Sequence, residues 1–351
     1  MNKELEPNVD TNVVFPKTAV LELTYKCNHK CLFCSCPWDA DVPDQNKYRK
    51  GDELDLEQWK KVLKILADLG VESVSISGGE ALLCPFLLDL LHYIRTETSF
   101  NKDSEIVLIS NGLAMTDDYL DAFKKYNIHL SMSLPGIETF AQHTGADNVQ
   151  GVLHWFSEAH KKGIHTTVNV TVTKLNYDEL FQTIALGLLS GADSVLLNRF
   201  LPGGRGLSHV DELLLSKEQL AGMLDIAEQV LEHADRKGMV GTEFPRCVVD
   251  NIDKYKRLHV GTICSAAKEF FVVDPSGFVR VCNHSPRKVG HVFDPQIVSD
   301  TEYWNIFAKR AYIPASCVNC KEVSYCDCGC REVAAIVKGD VCATDPCIDN
   351  K

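Results

Sequence analysis

Cys27, Cys31 and Cys34 are spaced C-x3-C-x2-C within LELTYKCNHKCLFC, residues 21–34. Thiolates are soft ligands, and three held close together repel unless a cation or cluster neutralises them. Structural zinc takes four protein ligands, and catalytic zinc uses mainly histidine and carboxylate. Three cysteines at this spacing suit a [4Fe–4S] cube and leave one iron open to an outside molecule. A zinc knuckle is the alternative that the spacing alone leaves standing.

A second array follows Val260. Cys264 is followed by twelve residues, Gly277, four more residues and Cys282. Then come Cys317-x2-Cys320-x5-Cys326-x3-Cys330 and Asp345-Pro346-Cys347. Residues 270–281, FFVVDPSGFVRV, read as a hairpin around an Asp-Pro-Ser-Gly turn, which brings Cys264 and Cys282 to its open end. Thiolate-only spacings also serve zinc, so a zinc-binding treble is the competing reading.

These ligands need a scaffold. The run over residues 18–24 reads as a strand that delivers the first cysteine loop. Helical patterns over 55–69, 86–94, 117–126, 149–162 and 177–190 alternate with strands over 71–77, 105–110, 128–133, 164–173 and 194–200. Six strands with helical crossovers predict a parallel sheet covered on one side. Polar motifs end these strands: Ser77-Gly78-Gly79-Glu80, Ser110-Asn111-Gly112, Ser133-Leu134-Pro135-Gly136 and Leu201-Pro202-Gly203. A long helix over 216–237 reads as a bridge, with Ser216 near Glu218 and Gln219 but no clean capping box.

The chain has 351 residues, 45% of them hydrophobic, enough for one large domain and a smaller one. No run of 18 apolar residues occurs, and residues 1–16 lack a signal-peptide core, so a cytoplasmic protein with no membrane partner is expected. Fifteen cysteines in such a chain indicate metal or redox chemistry more than disulfides. A net charge of −12 argues against a nucleic-acid partner.

On the cysteine triplet and the Gly78-Gly79-Glu80 segment one unit later, the chain resembles the radical SAM superfamily. The resemblance implies a partial (β/α)6 TIM-type barrel with its chemistry at the C-terminal strand ends. It also implies that the open iron chelates S-adenosylmethionine, whose sulfonium is cleaved by one electron to a 5′-deoxyadenosyl radical. By position, Gly78, Gly79 and Glu80 are expected at the methionine amine. Ser110, Asn111, Ser133, Asn169 and Leu201 are expected around the rest of the cofactor, and Phe33 beside its adenine. Pro135 replaces the Asp of the family's Ser-Leu-Asp-Gly. An arginine that relatives often carry further on has no counterpart in Gln142-His143-Thr144-Gly145.

The second array resembles the SPASM extension of radical SAM enzymes, which implies two auxiliary [4Fe–4S] clusters and three in all. Cys264, Cys282 and Cys330 are implied for the nearer one; its fourth ligand is Cys247, Cys342 or none. Cys317, Cys320, Cys326 and Cys347 are implied for the outer one. Cys36 and Cys328 are surplus, and Cys84 is expected to be a buried apolar thiol. The expected divisions are a tail over 1–16, the barrel over 17–205, a helical bridge over 206–260 and the SPASM domain over 261–351. The loop over 37–50, with Trp38, Asp39, Asp41 and Asp44, either shapes the substrate entrance or is simply solvated.

SPASM enzymes mostly modify peptides, and auxiliary clusters give a second electron a path out. The leading expectation is a maturase that oxidatively crosslinks or otherwise modifies a ribosomally made precursor peptide, served by a reductant such as flavodoxin or ferredoxin. A sulfatase-type maturase is an alternative, although its acidic base after Cys282 is replaced by Asn283-His284-Ser285. Small-molecule or cofactor chemistry is another. A non-catalytic iron–sulfur or zinc-binding module is the reading from outside enzymes.

Overall fold

The computed structural model describes residues 13–37, 51–249 and 251–349. The loop with Trp38, Asp39, Asp41 and Asp44, and most of the expected tail, lie outside them. Eight strands run parallel in chain order: β1 (Thr18–Glu22), β2 (Ser73–Ser77), β3 (Ile106–Ser110), β4 (Ile128–Ser133), β5 (Thr166–Val172), β6 (Ser194–Arg199), β7 (Lys237–Val240) and β8 (Leu258–Val260). The intervening helices are α1 (Leu56–Asp68), α2 (Leu87–Glu97), α3 (Asp117–Lys125), α4 (Phe140–Thr144), α5 (Val149–Lys161), α6 (Leu180–Leu189), α7 (Val210–Leu213) and α8 (Lys217–Ala234). Each predicted helix and strand of the six units is present, most within three residues of its expected bounds. Among the described residues, no helix is long and apolar enough to cross a membrane.

The helices bury the faces their apolar spacing marks. In α1, Trp59, Val62, Leu63 and Leu66 are all fully buried against the sheet side, the i, i+3, i+4, i+7 stripe of an amphipathic helix. Asp55 caps it, accepting from the Gln58 amide while the Gln58 side chain accepts from the Asp55 amide. Ser216 and Gln219 form the same reciprocal pair at the start of α8. That corrects the sequence reading, which found no clean capping box there: Gln219 stands three residues after Ser216, as the motif requires.

The region read only as a helical bridge also supplies β7 and β8. Their sequences, KGMV and LHV, are too short and weakly patterned to announce strands; the open edge of β6 supplies the pairing. On the other edge, β9 (Phe270–Val273) pairs parallel with β1, Thr18 opposite Phe270, and β10 (Phe278–Arg280) returns antiparallel to it. With β11 (Gly290–His291), this makes one eleven-stranded sheet. The predicted hairpin is therefore present, joined edge-on to the barrel sheet. Helices α9 (Thr301–Ala308), α10 (Arg331–Lys338) and α11 (Pro346–Asp349) complete the cysteine-rich end.

Candidate functional site

The cysteine loop leaves β1 at Glu22, a buried carboxylate paired with the buried Arg280 of β10 and accepting from Asn283 Nδ2 at 3.0 Å. The loop is then strapped by neighbours on three sides. Gly79 N donates to Thr24 O at 2.7 Å and Glu80 N to Lys26 O at 2.8 Å. Lys30 N and Leu32 N donate to Thr144 O and His143 O, both at 2.8 Å. Gly206 N donates to Cys34 O at 3.1 Å, and Arg205 Nη1 to Cys31 O at 3.3 Å. The ends of β2, β4 and β6 thus converge on the three thiols.

Two glycines are explained by this convergence. A Cβ on Gly79 would stand 2.3 Å from Lys26 O, and one on Gly204, at φ +52°, 2.4 Å from Cys34 O. Only glycine permits backbone to approach the loop so closely.

The thiols themselves are strongly perturbed. Burial, with Cys34 adjacent, pushes Cys27 up to about 11 and Cys31 well above the ordinary thiol range, while Arg205 pulls the other way. Thiolates so placed need a strong cation, and iron supplies one. Among the described residues, the group whose ligand atoms all lie within 4.8 Å of one another is Glu105, His129 and His165.

Of the expected cofactor residues, Glu80, Ser110 and Asn111 are joined by hydrogen bonds beside Cys27. Glu80 is 1% exposed. Its Oε1 accepts from Leu82 N at 3.0 Å and Ser110 Oγ at 2.8 Å, and its Oε2 from Asn111 N at 2.7 Å. Asn111 Nδ2 in turn donates to Asn28 Oδ1 at 2.7 Å and lies 3.8 Å from Cys27 Sγ. Ser133 and Asn169 are register partners on β4 and β5, and Asn198 Nδ2 donates to Asn169 Oδ1 at 2.9 Å. Phe33 is partly exposed and rests against His143, ring centroids 5.9 Å apart. His143 is held by Thr139 O and Thr173 Oγ1. Leu201 is partly buried just past β6.

The C-terminal cysteines form two sets. All fifteen thiols are free. Burial pushes the Cys264 and Cys282 thiols well above the ordinary range, with Cys330 adding to both and Cys282 to Cys264. Cys264 N donates to Asp327 Oδ2 at 2.7 Å and Cys330 N to Asp345 Oδ2 at 2.7 Å. The second set lines a small cavity of about 60 Å³: Cys247, Cys317, Cys320, Cys326 and Cys328. There Cys328 hydrogen-bonds Cys326 and lowers its thiol to about 6. Cys347 is 1% exposed, its amide donating to Asp345 Oδ1 at 2.9 Å. Cys36 lies beside Cys34, and Cys84 is in the hydrophobic core.

Sequence reasoning missed the charged residues that organise these sets. Arg199, at the end of β6 and 1% exposed, bonds Asp345 Oδ2 at 2.6 Å, and both are buried. Asp327 gathers Arg310, Tyr312 and Lys268. A buried Arg on a strand end and the Asp of Asp345-Pro346-Cys347 are signals of a kind, but only the fold pairs them.

A cavity of about 720 Å³ opens between the parts. Ser35 and Pro37 at the end of the cysteine loop form one wall, with Gly204 and Leu207. His284, Tyr303 and Glu332 form another. His284 is 8% exposed; its Nε2 contacts Pro202 O at 3.0 Å, and burial lowers it to about 4. Burial raises Glu332 to about 7 against the bonds from Tyr303 and Ser285.

The family model described as the radical SAM superfamily matches residues 21–187, from within β1 to within α6. Residues 21–187 are a radical SAM domain. Radical SAM proteins use S-adenosylmethionine and a [4Fe–4S] cluster. A PqqA peptide cyclase of Gluconobacter oxydans is 27% identical over 349 residues, covering 94% of this chain and 90% of the relative. A PqqA peptide cyclase of Ruegeria pomeroyi is 26% identical, covering 96% and 88%. Among solved structures, anSMEcpe with bound AdoMet superposes with a TM-score of 0.72 at 16% identity, covering 95% of both chains. Streptococcus suis SuiB bound to precursor peptide SuiA gives 0.69 at 14% identity, covering 95% of this chain and 75% of SuiB. The last two share the fold.

Proposed function

We propose that this radical SAM enzyme is a cytoplasmic maturase of a ribosomally made precursor peptide, and that it forms an oxidative crosslink or related modification. One observation carries the reading: the 720 Å³ cavity is walled both by the end of the Cys27–Cys31–Cys34 loop and by the segments that follow Cys282 and Cys330. A peptide segment lying there touches the radical-forming side and the C-terminal cysteine side together. The likeness to PqqA peptide cyclases over nearly the whole chain supports a peptide substrate.

Cys27, Cys31 and Cys34 hold the cluster that, when bound, supplies the electron cleaving S-adenosylmethionine to a 5′-deoxyadenosyl radical. Gly78, Gly79, Glu80, Ser110, Asn111, Ser133, Asn169, Leu201 and Phe33 surround that cofactor. Glu80 does so by fixing Ser110 and Asn111. Cys264, Cys282 and Cys330 serve the nearer auxiliary cluster, and Cys317, Cys320, Cys326 and Cys347 the outer one. A flavodoxin or ferredoxin supplies electrons. Asn283 Nδ2 donates to Glu22 and His284 Nε2 meets Pro202 O, and neither position carries the carboxylate that a sulfatase-type reaction uses as its base.

Anaerobic reconstitution with iron and sulfide tests the reading. About twelve irons per chain, three cubes of four, and 5′-deoxyadenosine release with dithionite by the native chain but not by a Cys27/Cys31/Cys34→Ala variant are expected. With a precursor peptide encoded beside the enzyme, mass spectrometry should show loss of two hydrogens. Zinc in place of iron, or no nucleoside, overturns it.

A further inference from the structure

The end of the barrel opposite the cysteine loop carries a group of side chains that the chemistry above leaves unused. Glu105 stands immediately before β3, His129 is the second residue of β4, and His165 stands immediately before β5. Three neighbouring strands thus deliver one carboxylate and two imidazoles to one spot, where a ligand atom from each lies within 4.8 Å of the others. We propose that Glu105, His129 and His165 form a metal site of a second kind, which binds one zinc-type divalent cation through carboxylate oxygen and imidazole nitrogen. The inference stands apart from the peptide reading and from the cysteine-bound clusters.

Glu105 Oε2 is the hub. His165 Nδ1 lies 2.9 Å from it and His129 Nδ1 3.7 Å. The first distance is a hydrogen bond; the second is too long for one. Ligand atoms of a tetrahedral zinc stand about 3.3 Å apart, given bonds of about 2.0–2.1 Å. The two separations straddle that value, so a shared ion spans both with small shifts. The imidazoles lie face to face, centroids 4.1 Å apart and planes inclined by 21°. Behind the first ring, His129 Nε2 lies 2.6 Å from Thr167 Oγ1, which lies 2.7 Å from Ser194 Oγ. With Nδ1 given to a cation, Nε2 carries the proton and donates to Thr167, whose hydroxyl donates on to Ser194. Such outer support fixes the orientation and tautomer of a ligating imidazole. The strands beneath are held in register, Val107 opposite His129 and Ser131 opposite Thr167, and Leu130 N donates to His165 O at 2.9 Å. Side-chain exposures of 19%, 32% and 42% for His129, Glu105 and His165 leave the fourth position to water. Imidazole with carboxylate suits zinc, whereas iron–sulfur clusters take thiolates. Reactions in such barrels gather at the C-terminal strand ends, so an ion here clamps β3, β4 and β5 and takes no part in turnover.

The test uses the full chain with its clusters reconstituted, passed anaerobically over a chelating resin to remove loose metal, and then given one equivalent of zinc chloride. After gel filtration, elemental analysis should find about one zinc per chain, and X-ray absorption at the zinc edge should show a nitrogen/oxygen shell at about 2.0–2.1 Å. His129→Ala and Glu105→Gln should each abolish zinc retention. Thr167→Val keeps all three ligands but removes the acceptor behind His129, and should weaken zinc binding about tenfold. Iron content and 5′-deoxyadenosine release should match the parent in all three variants, which separates loss of the site from loss of the fold. A zinc–sulfur shell at about 2.3 Å, zinc retention that neither His129→Ala nor Glu105→Gln lowers, or a native chain that retains no zinc overturns the assignment.

Discussion

Glu80 separates two ways of supporting a cofactor, because both of its oxygens are already engaged within the protein. Oε1 accepts from Leu82 N and Ser110 Oγ, and Oε2 from Asn111 N. Glu80→Gln keeps the shape and turns one acceptor into a donor. If the new amide faces Asn111 N, that buried N–H loses its partner; if it faces Leu82 and Ser110, the serine can reverse its hydroxyl but Leu82 N cannot. Either way one backbone donor is orphaned, costing about 1–3 kcal/mol. Burial holds the Glu80 carboxyl above the usual range, so removing the charge returns part of that and the lower half of the interval is expected. Unfolding entropy for a chain of this length is about 0.7 kcal/mol per kelvin, so melting should drop by about 1–3 °C. Binding of S-adenosylmethionine, measured by equilibrium dialysis on reconstituted protein, should weaken only about threefold to tenfold, through the Asn111 link to Asn28 and Cys27. Glu80→Ala should lower melting further. Unchanged melting with abolished cofactor binding would refute this reasoning, since it would make the carboxylate a direct partner of the cofactor.

Gly79→Ala drives a methyl to 2.3 Å from Lys26 O, so iron bound at the first cluster should fall severalfold on reconstitution; full occupancy would contradict the packing argument. Arg199→Met leaves Asp345 buried without its cation and should cost about 3–5 kcal/mol by chemical denaturation, whereas Arg199→Met with Asp345→Asn should recover part of it; equal losses would show the pair is not coupled. Burial holds the folded pKa of His143 below the unfolded value of about 6.5, so the unfolded chain takes up a proton the folded chain refuses. Its contribution is full above that pH and declines on acidification. Glu332, raised to about 7, acts in the opposite sense over the same window, so the readout is the difference between native and His143→Gln apo-protein melts from pH 7.5 to 5. That difference should shrink as pH falls; a constant difference would remove His143 from the pH dependence.

What the sequence makes legible here is local or periodic. The six βα units stand out because β-branched runs and amphipathic spacing agree over each segment, and the Cys27–Cys31–Cys34 loop because its ligands lie within eight residues. The glycines were legible as points of close approach, but not what approaches: Gly79 faces the carbonyl of Lys26. β7 and β8 were hidden because strands of four and three residues carry almost no pattern and exist by edge pairing. Arg199 and Asp345 were hidden for another reason. Their roles depend on long-range partners, with Arg199 and Asp345 separated by 146 positions, and no spacing rule spans that distance.

The pairing of β1 with β9 has a bearing on how the enzyme is made. Thr18 faces Phe270, so β1 waits for a partner about 250 residues downstream. At ~5–20 residues per second of synthesis, that is roughly 10–50 s. Through that interval β1 presents an unpaired edge of the kind that recruits other strands, and it carries the cysteine loop at its end. Sheet completion therefore arrives late, when the hairpin docks. Chains interrupted before residue 270 should be the aggregating fraction in expression, and iron delivery is best timed after the nascent chain has cleared that point.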